Sequence, residues 1–433
     1  MPTNAAAWIN AKHAKLEVGP APYPHPGEDQ IVVRNLAVAI SPLDWIIQVD
    51  GSLTYRWLDY PAVLGADVAG QVVEVGRAVT RFRVGDRVLG HAVGTDKDSN
   101  SPAEGAFQQF TVVLERMAAP IPDAMAFTDA AVLPLAVSTA SCGLFQQDQL
   151  GLRRPTAHAE PTGQTVLVWG GSTSVGSQAI QLAAAAGYDV IATASPRNFD
   201  YVTSLGATQA FDYNSPTVVG DIVTALDGRE FAGAIAIGTT SAPACVRIAA
   251  RCTGNRFVSM ASAQVSFDSL TDDRRGRLAY PTLLRRLVTS NVALQARARS
   301  HRVGTKFIFG TSLKANEVST AIYQDFLPDA LAQGRYVAAP TPTVIGHGLD
   351  AIQEAMVPAR ASPITPESMS TEGIASTATS TGVGRPAQSP TTMLSVASTP
   401  NPAPLTSVRP AVTASSCSAS SSVAASSSLA MST

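Results

Sequence analysis

The chain has 433 residues, with 31 Lys and Arg against 33 Asp and Glu, and 15% of its residues are charged. The length allows two or three domains, and a net charge of −2 without a basic run argues against a surface for nucleic acid or an anionic membrane. No apolar stretch approaches the roughly 18 residues that span a bilayer, and the N-terminus has no apolar signal region. We therefore expect a soluble, cytoplasmic protein. Four scattered cysteines provide neither a disulfide framework nor a CxxC zinc site.

The first patterned region, residues 31 to about 117, is rich in β-forming residues. It contains IVVRNLAVAI, VLGADVAGQVVEVG, RFRVGDRVLGHAVG and AFQQFTVVL. Valine-rich runs at short spacing, separated by turns with Gly and Asp, predict a compact antiparallel sheet or barrel.

After residue 129 the pattern changes to alternating helices and strands. AAVLPLAVSTASCGLFQQ predicts a helix, TVLVWGG a strand, STSVGSQAIQLAAAAG a turn and a helix, and DVIATAS a second strand. This is one βαβ unit, and the alternation continues to about residue 260. We predict an open parallel sheet with helices on both faces.

The last patterned region, about 300–356, contains KFIFGTS, a helix at NEVSTAIYQDFLPDALAQG and a helix start at LDAIQEAM. Beyond residue 360 the periodicity ceases. Residues 361–433 include 19 Ser and 11 Thr, only four charged residues and no aromatic residue. Such a composition cannot build a core, so we predict that 361–433 is disordered.

The segment VLVWGGSTSVGSQAIQLA has the order of strand, turn and helix that a dinucleotide pyrophosphate site requires. Gly170 and Gly171 suit a tight turn, and Gly176 allows the helix to approach the strand. A strict GxGxxG motif would have glycine where this chain has Thr173. Taken alone, the segment also fits a structural turn in any α/β protein.

The end of the second strand indicates which dinucleotide would bind. About 20 residues after the turn, NAD-binding proteins usually offer a carboxylate to the ribose. Here the residues are Ser195, Pro196, Arg197 and Asn198. A Ser and an Arg without a carboxylate suit a 2′-phosphate, so NADPH is favoured over NADH. Tyr213, after the next strand, packs near the adenine, reaches the same 2′-phosphate or is a surface tyrosine.

Over roughly residues 5–356 the chain resembles the medium-chain dehydrogenase/reductase superfamily. The matching segments are AISPLDW, LGADVAGQVVEVG, FRVGDRVLG, EGAFQQFTVV, AAVLPLAVSTA and VLVWGGSTSVGSQAIQLA. SPRNFDYVTSLGATQAFDY is particularly similar to zinc-independent fungal members, the trans-acting enoyl reductases of polyketide assembly and CipB-like oxidoreductases. The resemblance implies an α/β protein with a GroES-like β domain (1–131, completed by 301–360), a Rossmann NADPH-binding domain (132–300) and the disordered tail (361–433).

The resemblance also implies the site residues. In the family the helix matching LPLAVSTA lies under the nicotinamide, which brings Ser138 and Thr139 to the site, with Thr139 as the catalytic candidate; helix capping or back-bonding is the alternative for both. The implied cofactor-binding residues are Asp44, Gly171, Ser172, Thr173, Ser174, Val175, Gly176, Ser195, Arg197, Asn198, Tyr213 and Ile237. For Asp44, a bond to its own loop backbone is the alternative.

Metal ligands are missing at the positions where zinc-dependent relatives hold zinc. Those positions correspond to Ser41 or Pro42, Ala66 and Leu135, none of which is a tetrahedral zinc ligand. The lobe that holds structural zinc in such relatives is GTDKDSNSPAEGAF here, without cysteine. His13 and His91 are lone histidines. A lysine that related enoyl reductases often carry near the cofactor is replaced by Ile46, so we assign no general acid and expect solvent to protonate the product.

These residues favour an NADPH-dependent, zinc-independent reductase of activated double bonds in enoyl thioesters or enones. We expect a role in secondary metabolism, with a polyketide synthase as a partner that presents a carrier-bound acyl substrate. A quinone oxidoreductase and a non-catalytic NADPH-binding protein are the alternatives. Monomer and homodimer both stay open, because LVTSNVALQARARSH shows no clear strand for pairing.

The C-terminus departs from the family pattern. In relatives a final Val-rich strand follows the helix matching LDAIQEAM, whereas this chain continues with VPARASPITPESMS. We therefore expect the last strand of the β domain to be missing. An altered reading frame or retained intron, or a natural disordered extension, would each account for this.

Overall fold

The computed structural model describes residues 3–50, 54–267, 270, 279–360 and 394–397. The strands in chain order are β1 (Asn4–Ile9), β2 (Leu16–Ala21), β3 (Gln30–Ile40), β4 (Ala62–Val63), β5 (Asp67–Val75), β6 (Arg87–His91), β7 (Phe110–Leu114), β8 (Ala118–Pro120), β9 (Gln164–Trp169), β10 (Asp189–Ala194), β11 (Gln209–Asp212), β12 (Glu230–Ala236), β13 (Phe257–Met260), β14 (Gly304–Phe307), β15 (Thr343–His347) and β16 (Leu394–Ala397).

The helices are α1 (Pro42–Asp50), α2 (Phe127–Ala131), α3 (Pro134–Phe145), α4 (Ser174–Ala185), α5 (Phe199–Ser204), α6 (Val218–Ala225), α7 (Ser241–Ala249), α8 (Ala279–Ser300), α9 (Glu317–Ser319), α10 (Leu327–Ala332) and α11 (Ala351–Arg360). A π-helical segment, Thr320–Phe326, joins α9 to α10. The helices predicted near residues 316–334 and 349–356 are thus confirmed.

The β-rich first region forms a sheet centred on β3. Its strand order is β15-β16-β3-β5-β6-β8, and β7 also pairs with β3. The pairs β3–β5, β5–β6, β6–β8 and β3–β7 are antiparallel, as the sequence predicts. β1, β2 and β4 form a separate three-stranded sheet. Eight of the eleven residues of β3 are buried, and the strand pairs along both edges.

The second region is a six-stranded parallel sheet in the order β11-β10-β9-β12-β13-β14. This is the strand order of dinucleotide-binding Rossmann folds, in which ligands bind beyond the carboxyl ends of the strands. The sixth strand, β14, lies beyond the predicted domain boundary at residue 300. The boundary therefore moves to the end of β14, because residues 304–307 pair in register with 257–260.

The segment LVTSNVALQARARSH is helical and belongs to α8, so it provides no strand for pairing between subunits. The strand that follows it, β14, lies at the end of the sheet order. Phe307 at the end of β14 is 37% exposed. Among the described residues, β14 is therefore an edge strand of the parallel sheet.

One expectation about apolar stretches is wrong. Phe127–Phe145, which includes α2 and α3, has 19 residues and a mean hydropathy of 1.3, enough by length and composition to cross a membrane. Within the described part of the chain, 72% of its most apolar window is buried inside the protein. The stretch is apolar because α3 packs in the core, where ten of its twelve residues are buried.

The expected loss of the last strand is also corrected. The described part of the tail, Leu394–Ala397, forms β16 and pairs antiparallel with residues 37–40 of β3 and parallel with β15. Along one edge of β3, β7 pairs with residues 30–34 and β16 pairs with residues 37–40. β5 pairs along the other edge. A short apolar segment therefore satisfies backbone groups that would otherwise be exposed. The predicted disorder of the remaining tail lies outside the described residues.

Candidate cofactor and active site

The turn between β9 and α4 has the geometry of a dinucleotide site. Gly170 adopts φ +88°, a left-handed conformation that favours glycine. Its N–H donates to the Thr193 hydroxyl at 3.0 Å, and the N–H of Gly171 donates to the Thr193 carbonyl at 2.8 Å. The buried Thr193 on β10 thus holds both glycines of the turn.

Gly176 lies where no other residue fits without a shift of the backbone. A Cβ on Gly176 would be 2.1 Å from the carbonyl oxygen of Gly170. This close approach explains the glycine and brings the first turn of α4 against the β9 turn. The prediction that Gly176 allows close packing of helix and strand therefore has a geometric basis.

Thr173, which replaces a glycine of the strict motif, caps α4. Its hydroxyl donates to the Gly170 carbonyl at 2.7 Å and accepts the N–H of Gly176 at 3.1 Å. The next residues, Ser172, Ser174 and Val175, are half-buried. The Ser174 hydroxyl oxygen is buried and has no hydrogen-bond partner among the described residues. A capped helix start, a tight glycine turn and an unpaired hydroxyl suit a bound pyrophosphate.

The structure brings together residues proposed for the 2′-phosphate. The hydroxyls of Ser195 and Tyr213 are 3.5 Å apart. Arg197 is exposed on the short helical turn Pro196–Asn198 and forms no ion pair with the described residues. Asn198 is half-buried before α5. One cation and three polar side chains therefore lie after the ends of β10 and β11. Positions 195–198 contain no carboxylate.

The other end of the candidate site lies at the carboxyl ends of β12, β13 and β14. Ile237 donates its N–H to the Trp169 carbonyl at 3.1 Å and borders Gly170. Thr139 lies beside the segment after β14, since a Cβ on Gly310 would be 2.8 Å from its hydroxyl oxygen. The Thr139 hydroxyl donates to the Leu135 carbonyl at 2.8 Å. This is the helix back-bonding that was the alternative to a catalytic role. The hydroxyl oxygen can still accept a hydrogen bond.

Ser138 lies in a different environment from its neighbour Thr139. It is fully buried, and its hydroxyl contacts His91 Nδ1 at 2.8 Å and the Tyr323 hydroxyl at 2.7 Å. Successive residues on a helix point about 100° apart, so α3 presents Ser138 and Thr139 to different neighbours. In this structure Ser138 is engaged with His91 and Tyr323, and its approach to the site stays a prediction.

Both carboxylate oxygens of Asp44 accept hydrogen bonds from neighbouring residues. One carboxylate oxygen accepts the N–H and hydroxyl of Ser41 at 2.8 and 3.0 Å, and the other accepts the N–H of Gly65 at 3.1 Å. Burial raises the pKa of Asp44 to about 6, although these hydrogen bonds act to lower it. The loop-bonding alternative for Asp44 is thus present, and a cofactor contact stays a prediction.

The positions that correspond to zinc ligands hold no metal-binding set. No group of three or more His, Cys, Asp or Glu that could hold a metal ion occurs in the described part of the chain. Asp67, next to Ala66, accepts the N–H of Leu135 at 2.6 Å. His91 is fully buried, and burial lowers its pKa to about 4, so its imidazole is neutral at pH 7.

Ile46 lies in an apolar cluster at the position of the family lysine. The cluster joins α1 to the segment after β13 and to α8 through Trp45, Phe267 and Leu283. Ile46 is partly buried and packs against this cluster with an apolar side chain that provides no acid.

Sequence reasoning missed Thr193, Asp67, His91 and Tyr323. Asp67 directly follows Ala66 in the LGAD segment, and this position beside an expected site residue is the only local indication of its role. In the sequence His91 is a lone histidine, and Tyr323 lies 185 residues from its partner Ser138. Their contacts form across 47 to 185 residues, which no local pattern encodes.

Comparison with known proteins identifies the family. Residues 27–123 match the alcohol dehydrogenase GroES-like domain. The chain is 51% identical over 357 residues to the dehydrogenase pigH of Monascus ruber, covering 82% of this chain and 95% of that protein. It is 36% identical over 357 residues to the trans-enoyl reductase himH of Aspergillus japonicus, covering 81% and 92%.

Solved structures agree in fold. The CurK enoyl reductase superposes with a TM-score of 0.63 at 16% identity, covering 91% of this chain and 99% of that one. The printed names of the relatives and of this structure are those of dehydrogenases and enoyl reductases. The chain belongs to the medium-chain dehydrogenase/reductase family, with fungal dehydrogenases and trans-enoyl reductases as relatives, and is an oxidoreductase of the enoyl or quinone reductase type that uses a nicotinamide cofactor.

Proposed function

We propose that the protein is an NADPH-dependent, zinc-independent reductase that saturates an activated carbon–carbon double bond in an enoyl thioester or enone. We place it in cytoplasmic secondary metabolism, where a polyketide synthase presents the acyl chain on a carrier. The observation that carries the cofactor preference is the pairing of Ser195 with Tyr213 beside the exposed Arg197, without a carboxylate at positions 195–198.

The glycine turn and the start of α4 would hold the pyrophosphate. Thr173 fixes the start of the helix, and Ser174 offers an unpaired hydroxyl. Ser195, Arg197 and Tyr213 would hold the 2′-phosphate through charge-assisted hydrogen bonds. The bound nicotinamide supplies a hydride. What remains for the protein is to orient the substrate, exclude water and stabilise charge on the substrate oxygen.

An activated alkene suits a site without a Lewis acid. A plain ketone depends on a metal or an acid to polarise its carbonyl, whereas an enoyl thioester delocalises charge to an oxygen that hydrogen-bond donors can stabilise. Thr139 on α3 is the proposed catalytic residue, because it lies beside the segment after β14. Its hydroxyl would turn from the Leu135 carbonyl to donate to that oxygen.

The proton for the α-carbon is proposed to come from solvent. Ile46 provides no acid, and both oxygens of Asp44 are engaged with Ser41 and Gly65. The relatives named trans-enoyl reductases support the double-bond reaction and the polyketide synthase partner for this chain.

The test measures oxidation of NADPH and of NADH with crotonyl thioesters and with quinones, on metal-free enzyme and after addition of zinc. We expect turnover of the thioester with NADPH, unchanged by zinc. Quinone turnover alone would indicate a quinone oxidoreductase, and a rise in Tm with NADPH without turnover of any acceptor would indicate a non-catalytic binding protein. Either result contradicts the proposed reaction, and a preference for NADH contradicts the assignment of Arg197.

A further inference from the structure

Three segments that would carry zinc ligands in metal-dependent relatives are joined here by buried hydrogen bonds. They are the start of α1 at Ser41, the LGAD turn at Ala66 and the start of α3 at Leu135. Asp44 links the first to the second, because its two oxygens bind Ser41 and the N–H of Gly65. Asp67 links the second to the third, because it accepts the N–H of Leu135 at 2.6 Å.

The Asp67 bond fixes the first turn of α3. Leu135 follows Pro134, the first residue of the helix, so its N–H is among those without an intrahelical acceptor. Burial raises the pKa of Asp67 well above its usual value, and its buried oxygen satisfies the amide as a hydrogen-bond acceptor. Asp67 belongs to β5, and the bond therefore ties the β domain to α3.

A second set of bonds holds the same turn from the other side. Tyr323 donates its hydroxyl proton to the Pro134 carbonyl at 2.9 Å and lies 2.7 Å from the Ser138 hydroxyl. Ser138 in turn lies 2.8 Å from His91 Nδ1. With a neutral imidazole protonated on Nδ1, every bond has a donor and an acceptor: His91 donates to Ser138, Ser138 to Tyr323 and Tyr323 to Pro134.

Both sets of bonds act on the helix that carries Thr139. Asp67 and Tyr323 engage residues 134, 135 and 138, which lie within the turn that precedes Thr139 or next to it. Thr139 itself faces the segment after β14, at the edge where the reactive end of the cofactor is proposed to lie. A rotation of α3 would move Thr139 relative to that edge.

We propose that Asp67 and Tyr323 are positioning residues that hold the start of α3 against the rest of the protein and thereby set the position of Thr139. This inference rests on the proposed function. It assigns no chemical step to either residue, since neither is placed against substrate. Their effect is on hydride transfer through the orientation of α3.

The first test compares Tyr323→Phe with Tyr336→Phe. Tyr336 is a matched control, because it is also buried and its hydroxyl donates to Gln178 at 2.6 Å, on α4 rather than α3. We expect Tyr323→Phe to lower kcat about tenfold and to raise the isotope effect with deuterated NADPH, since misplaced reacting groups make hydride transfer rate-limiting. The Kd for NADPH should change less than about twofold, because the pyrophosphate site is untouched.

A readout without turnover is amide hydrogen exchange of the cofactor-free protein. We expect faster exchange in residues 135–139 for Tyr323→Phe and unchanged exchange there for Tyr336→Phe. The second test uses Asp67: Asp67→Asn retains an acceptor for the Leu135 amide and should keep kcat, whereas Asp67→Ala should lower it as Tyr323→Phe does.

Equal kcat and equal exchange in the two tyrosine variants would overturn the inference, as would a loss of kcat in Asp67→Asn as large as in Asp67→Ala. If Asp67→Ala does not fold, the tyrosine pair still decides. Failure of the proposed function is distinguishable, because the wild-type enzyme would then turn over no enoyl substrate, while the exchange measurement would still report on α3.

Discussion

Gly176 at the start of α4 lies so close to the carbonyl oxygen of Gly170 that a Cβ would come within 2.1 Å of it. The contact is with backbone, so no flexible side chain can move away. The close approach therefore requires glycine at the point where the helix start faces the proposed pyrophosphate.

Gly176→Ala is expected to lower the free energy of unfolding by about 1–3 kcal/mol, as overpacking does, and to weaken NADPH binding because the turn must shift. Chemical denaturation and a titration of NADPH fluorescence measure both effects. Gly220→Ala is the control, since Gly220 lies in α6 with no atom within 4 Å of the added Cβ. That variant should be neutral or slightly stabilising. A stable, NADPH-binding Gly176→Ala enzyme would refute the packing argument.

Arg197→Ala is expected to raise the Kd for NADPH about tenfold or more and to leave the Kd for NADH nearly unchanged, because only NADPH carries the 2′-phosphate. Isothermal titration measures both constants. Arg229→Ala is the matched control, since Arg229 is paired with Asp189 at 3.4 Å near the amino ends of β12 and β10. Equal losses for the two cofactors would show that Arg197 does not read the phosphate.

Asp44 and His91 should give opposite pH dependences of stability. The folded-state pKa of Asp44 is raised to about 6 by burial, so its contribution is present at low pH and is lost as the pH rises to about 6. The pKa of His91 is lowered to about 4 by burial, so its contribution is present above about 6.5 and is lost as the pH falls to about 4. Each shift corresponds to about 3 kcal/mol at most.

Urea unfolding between pH 4 and 8 separates the two groups. Asp44→Asn should remove the loss of stability on raising the pH from 4 to 6, and its curve should fall more steeply than wild type on acidification. His91→Asn retains a donor for Ser138 and should flatten the acid loss. Parallel curves for wild type and both variants would contradict these assignments.

Deleting residues 391–433 is expected to lower the free energy of unfolding by about 2 kcal/mol, because β3 and β15 lose backbone hydrogen-bond partners in β16. Deleting only 400–433 retains β16 and serves as the control. The measurement is the denaturant midpoint of each protein. If both deletions behave alike, β16 contributes nothing to stability, and the pairing with β3 is refuted.

The Rossmann half could be predicted well from sequence because its signals are local. TVLVWGG, the turn and the helix follow one another directly, and the glycines needed at 170 and 176 are visible in one short segment. The helix beginning at 317 and the β-rich region also follow from periodicity. β14 is only four residues long, and its membership of the parallel sheet depends on pairing with β13 rather than on a local pattern.

Other errors came from long-range pairing. The four residues of β16 carry little signal inside a Ser- and Thr-rich tail. They pair with residues 37–40 of β3 along the edge where β7 covers only residues 30–34. The length of the apolar stretch 127–145 is hard to recognise in the sequence, because Pro134 separates α2 from α3. Its burial depends on the packing of α3 in the core.

The sequence by itself determined the family, the glycine turn and the lack of a carboxylate at positions 195–198 after β10, since each depends on residue identity over a short span. Only the tertiary structure decided that Asp44 joins Ser41 to Gly65, that Asp67 joins β5 to α3, that Ser138 and Thr139 have different neighbours, and that Tyr323 meets Ser138. Those contacts connect residues up to 185 positions apart, and side chains so distant in sequence meet only when the packed core fixes their strands and helices.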